Sequence, residues 1–487
     1  MPYFGASPSS ELANLDINGQ KLILDADADT SITSDTDDQI DVEISGADDF
    51  RFTANTLTAL SGSTIAANTI AETTAGSGVT IDGLLIKDTT AAFADGAVTT
   101  PSITNTGDLN TGVYFPAADT VGVTAGGTEQ FRFGSNPIPG GSKNLVLNGG
   151  MTVAQRAATS ISASAYGAVD QWPIHLASSA GRFDLSQDST LGSAVPLGHG
   201  FSLKIDCTTA EGSLASGDVI TLRHHIEAQN LQHLRYGAAT AKTVTLSFWM
   251  SSPKSGTHCV ALNQPDSSER HYISEFTVAS ADTWEHFKIT IPGDTSGTIN
   301  NDTGAGLDIN FPLVCGSTYQ NTKDAWAAGA DYGTSSVQNL LDNTSNNIYI
   351  TGVQLEVGSV ATDFAHEDYG TTLNKCFRYY ERITYDSTDS EMVTVSYVYD
   401  ANTNQGIVYY MEKRATPTVT LTAGATFKGR SGGSGFTAGT GNAAANIGHR
   451  SCLFQLTTSG SPWTAGHGGD IRRDGTDTTY IEVSSEL

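Results

Sequence analysis

The sequence predicts an all-β chain: an elongated trimeric β shaft, then a jelly-roll or β-sandwich domain, then a smaller C-terminal β domain. Three observations predict it. Long helical periodicity is almost absent, while short period-two runs recur along the chain. Glycine is abundant (51 residues) and proline sparse (14), with Thr, Ser, Ala, Asn and Asp dominating the rest. One two-strand unit also occurs twice. "DDQIDVEISGADDFRF" (37–52) aligns without a gap on "ADTVGVTAGGTEQFRF" (118–133), so Ile40 matches Val121, Gly46 matches Gly127 and Phe52 matches Phe133.

Residues 1–20, opening "MPYFGASPSS", read as an irregular leader that needs a partner. The leader lacks the basic start and apolar core of an export signal, so the chain is expected to be made in a cytoplasm and not exported by the general secretory route. No apolar run approaches the roughly 18–20 residues of a membrane span, and no membrane insertion is expected.

Residues 21–143 hold the shaft and its linker. "KLILDADADTSIT", "DQIDVEI", "DFRFTA", "SGVTIDGLLIKD" and "NTGVYFPAADTVGVTAGGTEQFRF" are short strands between Gly, Asp or Asn turns. Period-two alternation is expected to turn one apolar face inward and leave Asp and Thr outside. A single layer of such strands buries too little apolar surface to offset its ordering entropy. Three copies wound about one axis would let each sparse apolar face meet two others. "GSNPIPGGSKN" (134–144) closes this region as a Gly/Pro/Ser linker.

Residues 144–366 contain longer strands, among them "FSLKIDC", "DVITLRHHI", "TVTLSFWM", "WEHFKITI", "LDINFPLV" and "NIYITGVQLEV", with "IEAQNLQHL" as one short helix. Their number and spacing predict a two-sheet sandwich or jelly roll. Residues 367–487 form a smaller β domain. "LNKCFRYYERI" opens it with a helical turn, and the Gly/Ala-rich stretch 429–448 is expected as a long loop.

Charge and chemistry exclude several classes. A formal net charge of −27 opposes binding to a nucleic-acid backbone. Residues 1–140 hold 19 acidic against four basic side chains, which suits a soluble, self-repelling rod. The five cysteines are scattered and never form a CxxC pair, so neither a disulfide framework nor a zinc site is expected. "DADAD" (25–29) lacks the Gly and Glu of a calcium loop, since those places hold Thr30 and Thr36; Asp25, Asp27 and Asp29 read as the solvent face of a strand. His224 and His225 are adjacent and point to opposite faces. "GRSGG" (429–433) matches a nucleophile elbow in letters, with Ser431 in place, but lacks the following helix. No catalytic residue, cofactor or metal is expected. Trp172, Trp249 and Trp284 read as core. Tyr319, Trp326, Tyr332 and Trp463 lie in loop-rich stretches and are the candidates for an exposed aromatic platform on which a pyranose could stack. Tyr379, Tyr380, Tyr409 and Tyr410 read as packing between subunits.

"NTGVYFPAADTVGVTAGGTEQFRF" resembles repeats of bacteriophage tail fibres, and residues 25–88 are similar to shaft segments in virion proteins of marine phages. "NLVLNGGMTVAQRA", "IEAQNLQHL", "TVTLSFWMSSPKSGTHCVAL" and "ITGVQLEVGSVATDF" resemble a carbohydrate-binding-module-like jelly roll of tail-fibre proteins. "CFRYYERI" and "MEKRATPTVTL" resemble the β domain that often follows it. The resemblance covers most of residues 20–487. It implies a homotrimer in the virion tail, assembled in the host cytoplasm. Its N-terminus would dock on another virion protein (tail, baseplate or adaptor), and its distal part would bind a host-surface glycan or outer-membrane receptor. A head or collar fibre or decoration protein, and a tailspike glycan depolymerase, are the alternatives.

Overall fold

The structure is a computed structural model. It describes residues 20–66, 93–133, 143–190, 198–266, 268–386, 390–422, 427–475 and 478–487. All of the leader before residue 20, the expected strand 77–88 and most of the 134–144 linker lie outside these residues. The chain is nearly all β, as expected. It clusters into two compact units: one holds residues 1–115 with Thr124–Thr128, the other Pro116–Val123 with 129–487.

In the N-terminal region, Leu22–Ile23, Ser31–Thr33, Ile40–Ile44, Ala47–Thr53 and Thr56–Ala59 form a five-stranded sheet in chain order. Ile103–Asn105, Asp108–Ala117, Thr120–Ala125 and Thr128–Phe133 form a four-stranded one. Both copies of the repeat are hairpins with two-residue turns: Ser45 and Gly46 have φ of 55° and 80°, and Gly126 and Gly127 have 59° and 73°. Positive φ at both turn residues matches the strand twist, and glycine, which fills three of these four positions, adopts it freely.

Within one chain the first sheet covers acids of the strand Ile40–Ile44 and leaves apolar side chains open. Asp41 and Glu43 are buried, whereas Ile40, Ile44 and Phe52 are exposed. The acids are satisfied locally. Asp41 accepts from Arg51 Nε (2.7 Å) and Gln39 Nε2 (2.5 Å), and Glu43 accepts from Ser31 Oγ (2.8 Å) and pairs with Lys21. Among the described residues no second apolar layer covers this sheet, and Ile40, Ile44 and Phe52 stay open.

From Thr159 to Val357 two antiparallel sheets stack over one core. The first runs Thr159–Ile161, Arg182–Asp188, Ser202–Thr209, Asn347–Val357, Val244–Ser251, Trp284–Ile291. The second runs Ala165–Tyr166, Pro173–Ala177, Val219–Glu227, Ala305–Cys315, Gly256–Gln264, Arg270–Val278, Trp326–Ala328. Inward residues of both sheets join one apolar cluster. At its centre Phe248 meets Phe276, Phe287 and Phe311 at ring distances of 5.2, 5.4 and 5.0 Å. Trp172 is fully buried there, as expected. Trp249 and Trp284 are not core: both are half-buried on the outward side, and Trp249 stacks on His286 at 4.6 Å. The register decides this, because Phe248 takes the inward position. The short helix appears as a 3-10 turn at Ala228–Leu234.

The terminal region opens with a helix, Tyr369–Phe377, whose N-cap Asp368 accepts from Thr371 N. A three-stranded sheet follows (Tyr380–Tyr385, Thr479–Ser484, Thr418–Leu421). So does a seven-stranded one in the order Thr437–Ala438, Phe427–Ser431, Gly468–Arg473, Met392–Val398, Thr403–Tyr409, Ser451–Thr457, Gly441–Ala445. The stretch 429–448 is therefore not one long loop. Gly441–Ala445 pairs with Ser451–Thr457 through backbone that small side chains leave accessible. Tyr379, Tyr380 and Tyr410 are buried within the chain rather than left for a neighbouring subunit, while Tyr409 is exposed.

Buried ion pairs bind this region to the sandwich. Glu227 receives Arg378 Nη2 (2.6 Å) and Tyr379 Oη (2.8 Å), Arg156 reaches Glu486 (2.6 Å), and Arg414 Nη1 donates to Thr303 O (2.9 Å). Arg156 also lies 3.3 Å from the Tyr380 ring centroid. Removing one partner of such a pair strands the other charge, so each is costly to break.

Candidate functional site

Strand Val219–Glu227 alternates between two roles. Ile220, Leu222 and Ile226 face the core, and His224 joins them. Its Nδ1 lies 3.1 Å from Gln171 O and its Nε2 accepts from Leu147 N (3.3 Å), so the imidazole is the neutral Nδ1–H tautomer. Burial pushes its pKa down to about 3. Thr221, Arg223 and His225 take the outward side, where cross-strand pairing sets Arg223 opposite Asn310 and His225 opposite Asp308. The two histidines thus face opposite ways, as their adjacency requires.

The outward residues form a polar network across the sheet. Arg223 Nε donates to Asn310 Oδ1 (2.7 Å), Asn310 Nδ2 to Asn263 Oδ1 (3.0 Å), and Asn263 Nδ2 to Asp331 O (3.3 Å). Thr221 adds a bond to the same Asn310 oxygen (3.2 Å). His225 Nδ1 meets Asp308 Oδ1 at 2.6 Å, and Arg223 Nη1 lies 3.9 Å from Asp308 Oδ2. Asn310, Asn263 and Asp308 are buried, so this network is a fixed frame rather than a solvated surface.

At one edge the frame opens into a cavity of about 220 Å3 lined by Tyr166, His175, Arg223, His225, Ser164 and Leu487, among others. That volume is below the ~300 Å3 at which pockets for drug-sized ligands begin, so it suits one ring-sized group. Burial and the neighbouring Arg223 hold the His175 pKa below the usual histidine range, which keeps it neutral near pH 7. Burial raises the Tyr166 phenol, whose hydroxyl donates to Leu487 O (2.8 Å). The cavity therefore presents a fixed guanidinium, two imidazoles, a neutral phenol and, through Asp308, one carboxylate. These are donors and acceptors for a ligand rich in hydroxyls.

The opposite end of the same face is apolar. Val219 and Cys315 cluster with Tyr332, Tyr319 and Val337 from the segment that crosses over them. Two of the four candidate platform aromatics, Tyr319 and Tyr332, fall at this end. Tyr332 is only 4% exposed; its hydroxyl accepts from Arg223 Nη2 (3.2 Å) and its ring lies 5.8 Å from that of Tyr319, itself half-buried. Trp326 joins a strand, packs on the sandwich core beside Tyr236 and Tyr272, and donates its indole N–H to Pro292 O (2.7 Å). Trp463 is 5% exposed, in the separate core of the terminal region. The exposed platform expected of these four is thus not formed. Loop position does not keep an aromatic in water when an apolar surface lies within reach. The cavity residues were missed. Their signal was a row of polar side chains at alternate positions, Thr221, Arg223 and His225 in one strand and Asp308 and Asn310 in its neighbour.

Two other motifs resolve differently. Asp25, Asp27 and Asp29 do not alternate along a strand; they converge in a bend, their carboxylates within 4.8 Å of one another, with Ala28 at φ 65°. Asp25 raises the pKa of Asp29 and itself accepts from Thr30 N (3.2 Å). Ser431 ends a strand and is buried, and the glycine turn after it leads to Thr437–Ala438 rather than to a helix, so no nucleophile elbow forms. All five cysteines are buried and free, and burial lifts the Cys315 thiol to about 12.

No protein-family model matches the chain, and no curated protein matches its sequence. Similar solved structures include one described as CBM4 (15% identity, 44% of this chain and 99% of that one, TM-score 0.23). A second is the family 11 carbohydrate-binding module of a Clostridium thermocellum cellulosomal cellulase (14%, 42% and 97%, 0.21). A third is the enzymatically active domain of bacteriophage CBA120 tailspike protein 4 (9% identity, 44% of this chain but 22% of that one, 0.23). At these TM-scores the likenesses leave the function of this chain to its own residues.

Proposed function

We propose that this chain is a structural component of a bacteriophage virion. It is a homotrimeric tail fibre, assembled in the host cytoplasm, whose N-terminus docks on another virion protein and whose head attaches to a host-surface glycan. The observation that carries the glycan reading is the fixed polar frame of Arg223, Asn310, Asn263 and Asp308, opening into a cavity lined by His175, His225 and Tyr166. Such a site holds one sugar ring by several hydrogen bonds without moving its own side chains, which limits the entropy lost on binding. One ring per site gives weak affinity; several copies on one fibre supply the remainder by avidity. The exposed apolar face of the N-terminal strands supports the multi-chain reading.

Binding without cleavage fits the site. Asp308 is engaged with His225 and Arg223, whereas glycosidic cleavage uses a pair of carboxyl groups flanking the bond. The test is a glycan array, followed by host polysaccharide, probed with the intact protein and with Arg223→Ala. The wild type should bind, and the variant should lose about tenfold or more in affinity, the scale of one or two charge-assisted hydrogen bonds. Its mass in solution should stay near three times the 51.0 kDa of the chain. Unchanged binding by the variant would remove the site from the reading. A fall in polysaccharide viscosity would replace the binder with a depolymerase.

A further inference from the structure

Among the described residues, one face of two neighbouring strands of the terminal sheet is uncovered. In Met392–Val398 and Thr403–Tyr409 the inward positions, Val398 and Val408, enter the terminal core. Outward stand Val395 (72% exposed), Tyr397 (48%), Tyr399 (62%), Ile407 (49%) and Tyr409 (72%), with Met411 (50%) just beyond. Tyr397 pairs across the strands with Gln405, so by period-two alternation all of these lie on one side. The next strand continues that side, with Leu453 opposite Ile407 and Ser451 opposite Tyr409.

We infer that this face packs against a second copy of the chain, the patches of neighbouring copies meeting around a common axis. Three arguments select that occupant. The first is area. An aromatic side chain presents roughly 150–250 Å2. The three tyrosines therefore leave roughly 300–400 Å2 open, and the aliphatic residues bring the patch to roughly 500 Å2. That is the apolar share of a standard interface of about 800 Å2 per partner. The second is charge on the face. Asp470, opposite Val395, is the acid that pairing brings to its border, and Arg430 and Arg472 each hold it at 2.6 Å. The carboxylate at this border is thus already neutralised by its own neighbours. The third is charge along the chain. Residues 1–140 carry 19 acids and four bases, a net −15, whereas 367–487 carry 13 and ten, a net −3. Copies of this acidic chain repel least through the terminal region. An apolar patch in the least charged part is where they can meet.

This deepens the homotrimer reading and rests on it only for the presence of more than one copy. Because all five native cysteines are buried, Val395→Cys or Tyr409→Cys in the full chain supplies the only exposed thiol. A short bis-maleimide should then link copies of either variant at least tenfold more than a control, Ser280→Cys, on an exposed loop. Tyr409→Asp should lower protection of strands 392–398 and 403–409 in hydrogen exchange, with Arg223-dependent glycan binding per site unchanged. An assembled protein whose Val395→Cys and Tyr409→Cys chains stay unlinked would overturn the docking face and leave the fibre reading intact. A protein that is monomeric by light scattering at micromolar concentration would overturn both.

Discussion

The N-terminal strands and the sandwich use the same alternating pattern with opposite results. In Ile40–Ile44 the residues buried within one chain are Asp41 and Glu43, and the isoleucines at the ends face out. In Val244–Ser251 the buried centre is Leu246 and Phe248. Alternation therefore states that a strand has two different faces; it does not state which one meets water. A second layer decides that. The sandwich has one, and the N-terminal sheet must obtain it from elsewhere or leave its apolar side open.

The largest effect that would sharpen this contrast comes from a pair of substitutions. Phe248→Ala removes a ring packed against three others and should cost about 3–5 kcal/mol in denaturant unfolding. Phe131→Ala removes a ring that is 65% exposed in one chain, and should change the unfolding of the head by less than about 0.5 kcal/mol while lowering the assembled mass. Equal costs with no change in mass would erase the distinction between the two regions.

Acid gives the next effect. All eleven histidines lie between His175 and His467, none in the N-terminal strands. Burial depresses His224 to about 3 and, with His366 beside it, His199 to about 4. A histidine held neutral by the fold contributes stability that is complete above its unfolded pKa of 6.5 and is lost as pH falls towards the folded value. By pH 4 His224 alone should remove about 3 kcal/mol. Asp41, by contrast, is held below the usual carboxylate range by Arg51, so its contribution persists above 3.8 and is lost only as pH falls through its lower folded value. Hydrogen exchange between pH 6.5 and 4 should therefore show the sandwich loosening while residues 40–53 do not. Simultaneous loss would mean that the two regions do not unfold independently.

The smallest effect is Arg51→Ala. Arg51 is partly exposed, and removing it should cost less than about 1 kcal/mol, read as faster exchange in the hairpin 40–53. A cost of several kcal/mol would show that Asp41 is far more desolvated than a single sheet allows.

Much of the fold was legible because it depends on local chemistry. The paired turns at Ser45–Gly46 and Gly126–Gly127 and the opposed histidines follow from residue type and period two. The cavity was not legible. His175, Arg223, His225 and Tyr166 come from three strands, and only the pairing of Tyr166 with Pro173 and of His175 with Thr221 brings them to one edge. Tyr332 and Trp463 were misread as exposed for a related reason: each reaches an apolar surface far away in sequence, which no local window contains.

By itself the sequence determined the all-β class, the twofold repeat with its glycine turns, the uneven charge and the lack of cysteine pairing, since each depends on residue identity and short-range geometry. Only the tertiary structure decided which face of each strand is buried, that Trp249 looks outward while Phe248 looks in, and that Glu227 and Arg378 join sandwich to terminal region. Those outcomes depend on which segments pair and on how many layers cover them, and a single strand cannot encode either.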